Sequence, residues 1–192
     1  MKSKVFVAVA ISCWAMTNSQ AAYIVHGSAQ RTAGLGDAIV GSEFTGTGNG
    51  RVQEIEAAYG GNWTEINERT SSGTSGIFTV ALDSGYSWGA NSVKGTWTIA
   101  DPLFWSKYAM GAISMHVGNG NGDPDHWGWK LTPGQLTGLW EYNKISGGGG
   151  GLSNLKLYSS GTGTSVPDGG STLLALGISL LGLGGARRFL KA

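Results

Sequence analysis

One cysteine, four prolines and 13% charged residues are what this 192-residue chain has least of. The cysteine, Cys13, sits in an apolar N-terminal run. A chain that loses that run has no thiol, which excludes a disulfide, a zinc–thiolate site and a cysteine nucleophile from the folded part. A domain of ordinary size folds without such cross-links. Strong charge of one sign is also missing: Lys+Arg 13 against Asp+Glu 12. Nucleic acid is excluded as a partner on that ground, since phosphate binding needs a basic surface. There is no His-Glu-x-x-His, no phosphate loop and no dinucleotide fingerprint. His26 and His116 have no partnered nucleophile motif, and the glycines lack a strand-to-helix setting.

What the chain does have is concentrated first at its two ends. Met1-Lys2-Ser3-Lys4 is a basic n-region, Val5 to Met16 an apolar h-region, and Ser19-Gln20-Ala21 a small-x-small cleavage site. Residues 1–21 read as a signal peptide, with the mature chain starting at Ala22 or Tyr23. A lipobox around Cys13 is the alternative, and it leaves a very short signal. At the other end, Val166-Pro167-Asp168-Gly169-Gly170-Ser171-Thr172 precedes an uncharged run from Leu173 to Ala186, followed by Arg187, Arg188 and Lys191. Proline and the glycines place the helix start after them, with Ser171 or Thr172 as N-cap. A helix over 171–186 is about 24 Å long at about 1.5 Å per residue. That is short of a hydrocarbon core of about 30 Å unless the basic residues snorkel and Phe189 and Leu190 extend it. The basic cluster puts this end on the cytoplasmic side. A plain C-terminal anchor or a buried helix is the simpler reading, but apolar residues lie all round the run, against a one-faced helix.

This tail resembles the PEP-CTERM class of sorting signals, in the variant written Val-Pro-Asp-Ser-Gly or Val-Pro-Asp-Gly-Gly: short motif, membrane helix, arginine cluster, end of chain. The resemblance implies that Val166, Pro167, Asp168, Gly169 and Gly170 are the sorting motif. It implies that Arg187, Arg188 and Lys191 are the basic stop. It also implies recognition by an exosortase, a polytopic membrane cysteine transpeptidase-like enzyme of Gram-negative bacteria that cuts near the motif. The body resembles exported proteins of that class more weakly. Gly138-Leu139-Trp140 matches a Gly-x-Trp element, and Leu152-Ser153-Asn154-Leu155-Lys156-Leu157-Tyr158 matches a terminal Leu-Ser-His-x-x-Leu-Tyr strand, with Asn154 in place of the histidine. His116 to Gly120 stands where a Lys-Ala-Gly hairpin would be, without its lysine.

Removing both ends leaves about 145 residues, enough for one domain with a core. Without Lys2, Lys4, Arg187, Arg188, Lys191 and Asp168, eight Lys+Arg face eleven Asp+Glu, a formal charge near −3. Low charge and the glycines and tryptophans (34 and eight in the whole chain, all but six and one of them in this body) suit an all-β exported domain rather than a helical bundle. Strands are expected at Tyr23–Val25, Ala38–Val40, Ile77–Leu82, Gly95–Ile99, Ala112–Val117, Trp127–Leu131, Leu139–Tyr142 and Leu152–Tyr158, from alternation and bounding turns. Arg51–Tyr59 fits a helix turn or a strand equally. Residues 41–50 and 67–76 read as loops, and Gly147–Gly151 as a flexible link. The expected fold is an all-β antiparallel sandwich, jelly-roll-like, over 22–158, with a Ser/Gly/Thr linker over 159–165 and the sorting signal over 166–192.

Candidate chemistry in the body is sparse. Asn119, Asn121, Asp123 and Asp125 alternate through a glycine-rich loop beside His126, and oxygen ligands at that spacing suit Ca²⁺. The bidentate glutamate of an EF-hand is absent, Pro124 stiffens the turn, and the same residues build ordinary hairpin loops. Trp127, Trp129 and Trp140 would stack on sugar rings if exposed, and fill the core if not. The pairs Glu54/Glu56 and Glu65/Glu68 would suit a glycosidase only at a separation of about 5–9 Å. The expectation is a non-enzymatic surface or matrix protein associated with exopolysaccharide. It would be exported by the Sec route, held briefly at the inner membrane by its C-terminal helix, processed by an exosortase, and need no cofactor. A secreted carbohydrate-binding module, with or without Ca²⁺, is the alternative; a glycan-active enzyme is the third reading.

Overall fold

The computed structural model describes residues 22–26, 29–48, 50–118, 125–148 and 150–163, with residues 22–30 described through their backbone alone. Among the described residues, eleven strands and two short helices follow in order. They are β1 (Ala22–His26), β2 (Ala29–Leu35), β3 (Phe44–Gly46), α1 (Val52–Tyr59), β4 (Trp63–Arg69), β5 (Gly73–Ser75), β6 (Phe78–Leu82), β7 (Ser92–Ile99), α2 (Phe104–Lys107), β8 (Met110–Val117), β9 (His126–Lys130), β10 (Thr137–Ser146) and β11 (Leu152–Ser160). Two antiparallel sheets result: six strands in the order β1-β2-β10-β7-β6-β5, and five in the order β3-β9-β8-β11-β4.

Period-two alternation explains the core. Val93, Trp97 and Ile99 on β7, and Trp140 and Tyr142 on β10, point inward from the first sheet. Ile113, Met115 and Val117 on β8, Trp127 and Trp129 on β9, and Leu155 and Leu157 on β11 meet them from the second. All belong to one continuous cluster, so the two sheets face each other as a sandwich. The connections depart from a jelly roll. β5, β6 and β7 meander within one sheet, and β8–β9 is a hairpin within the other.

The outer faces differ. On the six-stranded sheet, Thr74, Thr79, Thr98 and Thr137 stand in register across four strands as a polar row facing water. The five-stranded sheet is covered by α1. Glu54 accepts a hydrogen bond from the Arg51 backbone N–H at 3.0 Å, which fixes the helix start, and Gly60, at φ +70°, ends it. Ile55 then packs with Trp63, Ala112 and Tyr158 as a second, smaller core.

Several boundaries differ from expectation. Ala38–Val40 is not a strand; Ala38 makes one bridge to Leu131, and Val40 is 86% exposed. The strand preceding it is β2. Residues 67–76 are not one loop but the end of β4, a turn and β5. β3 lies inside the expected 41–50 loop. The equal choice at 51–59 resolves as helix. Gly147 to Gly151 join β10 to β11, with Gly151 packed tightly on Gly89. β11 continues through Ser159 and Ser160, both buried, so the β-rich body runs past the expected end at 158. Among the described residues no helix is long and apolar enough to cross a membrane; the apolar run after Leu173 lies outside them.

Candidate functional site

Beyond the N-terminal end of α1, the outer face of the five-stranded sheet gathers most of the body's buried polar groups. Antiparallel register brings His116 on β8 opposite His126 on β9, and Asn154 on β11 opposite His116. The His126 side chain is fully buried, its Nδ1 3.7 Å from Oε2 of Glu54. His116 Nε2 lies 3.7 Å from Oδ2 of Asp125. Next along β11, Lys156 Nζ is 3.2 Å from Glu65 and 3.8 Å from Glu68. Those two glutamates are three apart and would ordinarily face opposite ways. The register shift opposite Leu157 and Tyr158 turns both toward the lysine. Tyr158 donates to the Gly50 carbonyl and lies 3.4 Å from the Ser114 hydroxyl.

Burial lowers both imidazole pKa values. For His116, desolvation outweighs the opposing pull of Asp125, with Lys156 adding to the depression and Glu54 opposing it. For His126, desolvation again leads, Glu54 opposes, and the neighbouring His116 reinforces it. Both rings are therefore neutral near pH 7. The unfolded chain, whose histidines titrate near about 6.5, binds protons that the folded chain refuses as pH falls. Stability is full above that value and is lost as the pH drops below it. The melting temperature is expected to fall between pH 7.5 and pH 5, and to fall less in a His116→Gln, His126→Gln double variant. An equal fall in both proteins would assign the acid sensitivity to other groups.

The paired glutamates are separated in role. Glu54 caps α1 and faces His126, Glu56 accepts from the Trp63 backbone N–H at 3.1 Å, and Glu65 and Glu68 share Lys156. Among the described residues no group of three or more His, Cys, Asp or Glu side chains is arranged to hold a metal ion. Asn119, Asn121 and Asp123 of the proposed Ca²⁺ loop lie outside the described residues. Asp125 is described: its backbone N–H donates to Gly46 at 3.1 Å, its carbonyl accepts from Val117 at 2.9 Å, and its carboxylate faces His116. The cross-strand histidine pair was missed by motif reading. Alternation in β8 and β9 carries the signal, since Trp127 and Trp129 inward forces His126 outward, and Met115 inward does the same for His116.

The tryptophans correct the carbohydrate expectation. Trp127 and Trp129 are 0% exposed and Trp140 1%, so none presents a ring face to a sugar. Inward alternation on β9 and β10 places them in the core. Trp88 and Trp105 are partly buried against that core, and their indole N–H groups are committed to the Ser153 carbonyl at 3.2 Å and the Gln135 carbonyl at 2.7 Å.

The sorting residues Val166, Pro167, Asp168, Gly169 and Gly170, and the basic Arg187, Arg188 and Lys191, lie outside the described residues. The described residues reach to within three positions of them: Gly163 donates its N–H to the Lys107 carbonyl at 2.9 Å. No curated protein and no solved structure matches this chain. A protein-family model described as "VPDSG-CTERM motif" matches residues 165–189. The chain thus carries a PEP-CTERM-type sorting signal at its C-terminal end, the mark of an exported protein handled by an exosortase.

Proposed function

We propose that this protein is a non-enzymatic cell-surface or matrix component whose β-rich body is cargo and whose C-terminal segment is a handle removed during export. The VPDSG-CTERM match directly downstream of the β-rich body carries this reading. The N-terminal n-region, h-region and Ala21 cleavage site support entry by the Sec route. The apolar run ending in Arg187, Arg188 and Lys191 supports a transient inner-membrane anchor. Exopolysaccharide is the partner we assign to the delivered body, which is left without catalytic chemistry or a cofactor.

The test is the intact mass of the mature protein from cells with and without the exosortase. The expected result is a full-length C-terminus without the enzyme and a product lacking Arg187, Arg188 and Lys191 with it. Identical masses from the two strains would refute processing.

A further inference from the structure

The linker expected over 159–165 is largely absent as a linker. Ser159 and Ser160 belong to β11, and the Ser160 hydroxyl donates to the Asn62 carbonyl at 2.5 Å. Gly161, at φ +71°, turns the chain, and Gly163 is bonded to Lys107 at the end of α2. A Cβ at Gly163 would stand 2.4 Å from the Ser106 carbonyl oxygen, so the strap lies flat on the helix backbone. Only Thr164 and Ser165 separate this pinned residue from Val166. Three Cα steps reach at most about 11 Å.

The corner that holds the strap is rigid. Phe104 is fully buried, Trp105 is bonded to Gln135, and Lys107 Nζ sits 2.7 Å from Asp101. Asp101 also accepts from the Leu103 backbone N–H at 2.9 Å. Asp101 and Lys107 neutralise each other, so the corner offers no net charge. What it offers is Leu103, 57% exposed, one helical turn from the carbonyl that pins Gly163.

We infer that the α2 corner, with Leu103 at its centre, is a docking surface for the processing enzyme itself, lying against an apolar patch beside that enzyme's cleft. This rests on the sorting reading above. An enzyme that closes on Val166–Gly170 has Gly163, held on this corner, within about 11 Å of the first motif residue, with Leu103 one helical turn further along α2. Its own surface around a peptide-binding cleft extends further than that, so the two bodies meet. An exposed leucine on an uncharged, immobile corner gains apolar burial there at little cost in ordering.

The experiment uses the full chain co-produced with its exosortase, following conversion of precursor to product by intact mass over time. Leu103→Glu is expected to slow conversion about tenfold, the effect of losing one well-packed contact. Its body should melt as the wild type does, because the side chain is exposed. The same substitution is then made with ten Gly/Ser residues inserted between Ser165 and Val166. The spacer separates the corner from the cleft, so in that background Leu103→Glu should convert as fast as its Leu103 parent. Wild-type conversion by Leu103→Glu at native spacing overturns the inference. So does a defect that persists with the spacer, which would place the effect in export or folding. A wild-type chain of identical mass with and without the exosortase overturns the sorting reading, and the docking surface with it.

Discussion

Trp127→Ala is expected to remove about 3–5 kcal/mol of stability, the range for deleting a large aromatic side chain from a packed core. Domains of this size have about 5–15 kcal/mol in total, so much of the population unfolds under mild denaturant. Trp127 is fully buried, packs 6.1 Å from the Tyr142 ring across the two sheets, and has Thr45 of β3 opposite it on the edge side. The check is equilibrium denaturation, where the midpoint should drop with the slope unchanged. Trp127→Phe keeps most of the volume and should lose less. The same number bears on function. A polysaccharide pull-down that fails with Trp127→Ala would report an unfolded body, not a lost stacking platform. Any glycan test has to use exposed positions and show that the variant is folded. A variant with wild-type stability would mean that the ring is not in the core.

Where one face of a strand meets the core and the other meets water or a helix, the sequence shows it. Trp97 and Ile99, then Ile113, Met115 and Val117, then Trp127 and Trp129 alternate as the structure has them. Legibility fails where that condition fails. β11 is an interior strand of its sheet and covered on both faces, so Leu155, Lys156, Leu157, Tyr158 and Ser159 are all buried and no alternation marks its end. β4 is an edge strand made largely of polar residues; it resembles a loop until its pairing with β11 is known. β2 carries Arg31, 3% exposed with Nη2 donating to the Gly148 carbonyl at 3.1 Å, a charge that argues locally against a strand. The apolar triplet 38–40 looked better and is not one.

The candidate site divides in the same way. The sorting signal is linear, recognised as a string of residues, and so was complete in the sequence. The His116–His126 pair and the contact of Glu54 with His126 join residues up to 72 positions apart, and only register and the placement of α1 bring them together. Composition weighed the tryptophans correctly as a β signal, but not their exposure.

The glycine run supplies the other large effect. Gly151→Val is expected to destabilise the body by about 3 kcal/mol or more, whereas a substitution in a loose link would be nearly neutral. A Cβ at Gly151 would stand 1.9 Å from the Gly89 carbonyl oxygen and 2.4 Å from that of Ala90. These are backbone atoms that cannot rotate away. The neighbouring contacts are equally close: Gly150 donates to the Gly118 carbonyl at 3.1 Å, and Gly118 donates to that of Gly151 at 2.9 Å. Tyr142 donates its hydroxyl to the Gly150 carbonyl at 3.3 Å. Accommodating valine means separating the β10–β11 connection from the loop before β7, and that shifts Leu152 and the start of β11 off the core. Gly134→Ala is the control. It has φ +88° and nothing within 4 Å of the added carbon, so it bears only the left-handed backbone penalty of about 1–2 kcal/mol. If the two variants denature at the same midpoint, the run is an open connection; if Gly151→Val falls well below Gly134→Ala, its glycines are there because three backbone segments meet with no room for a side chain.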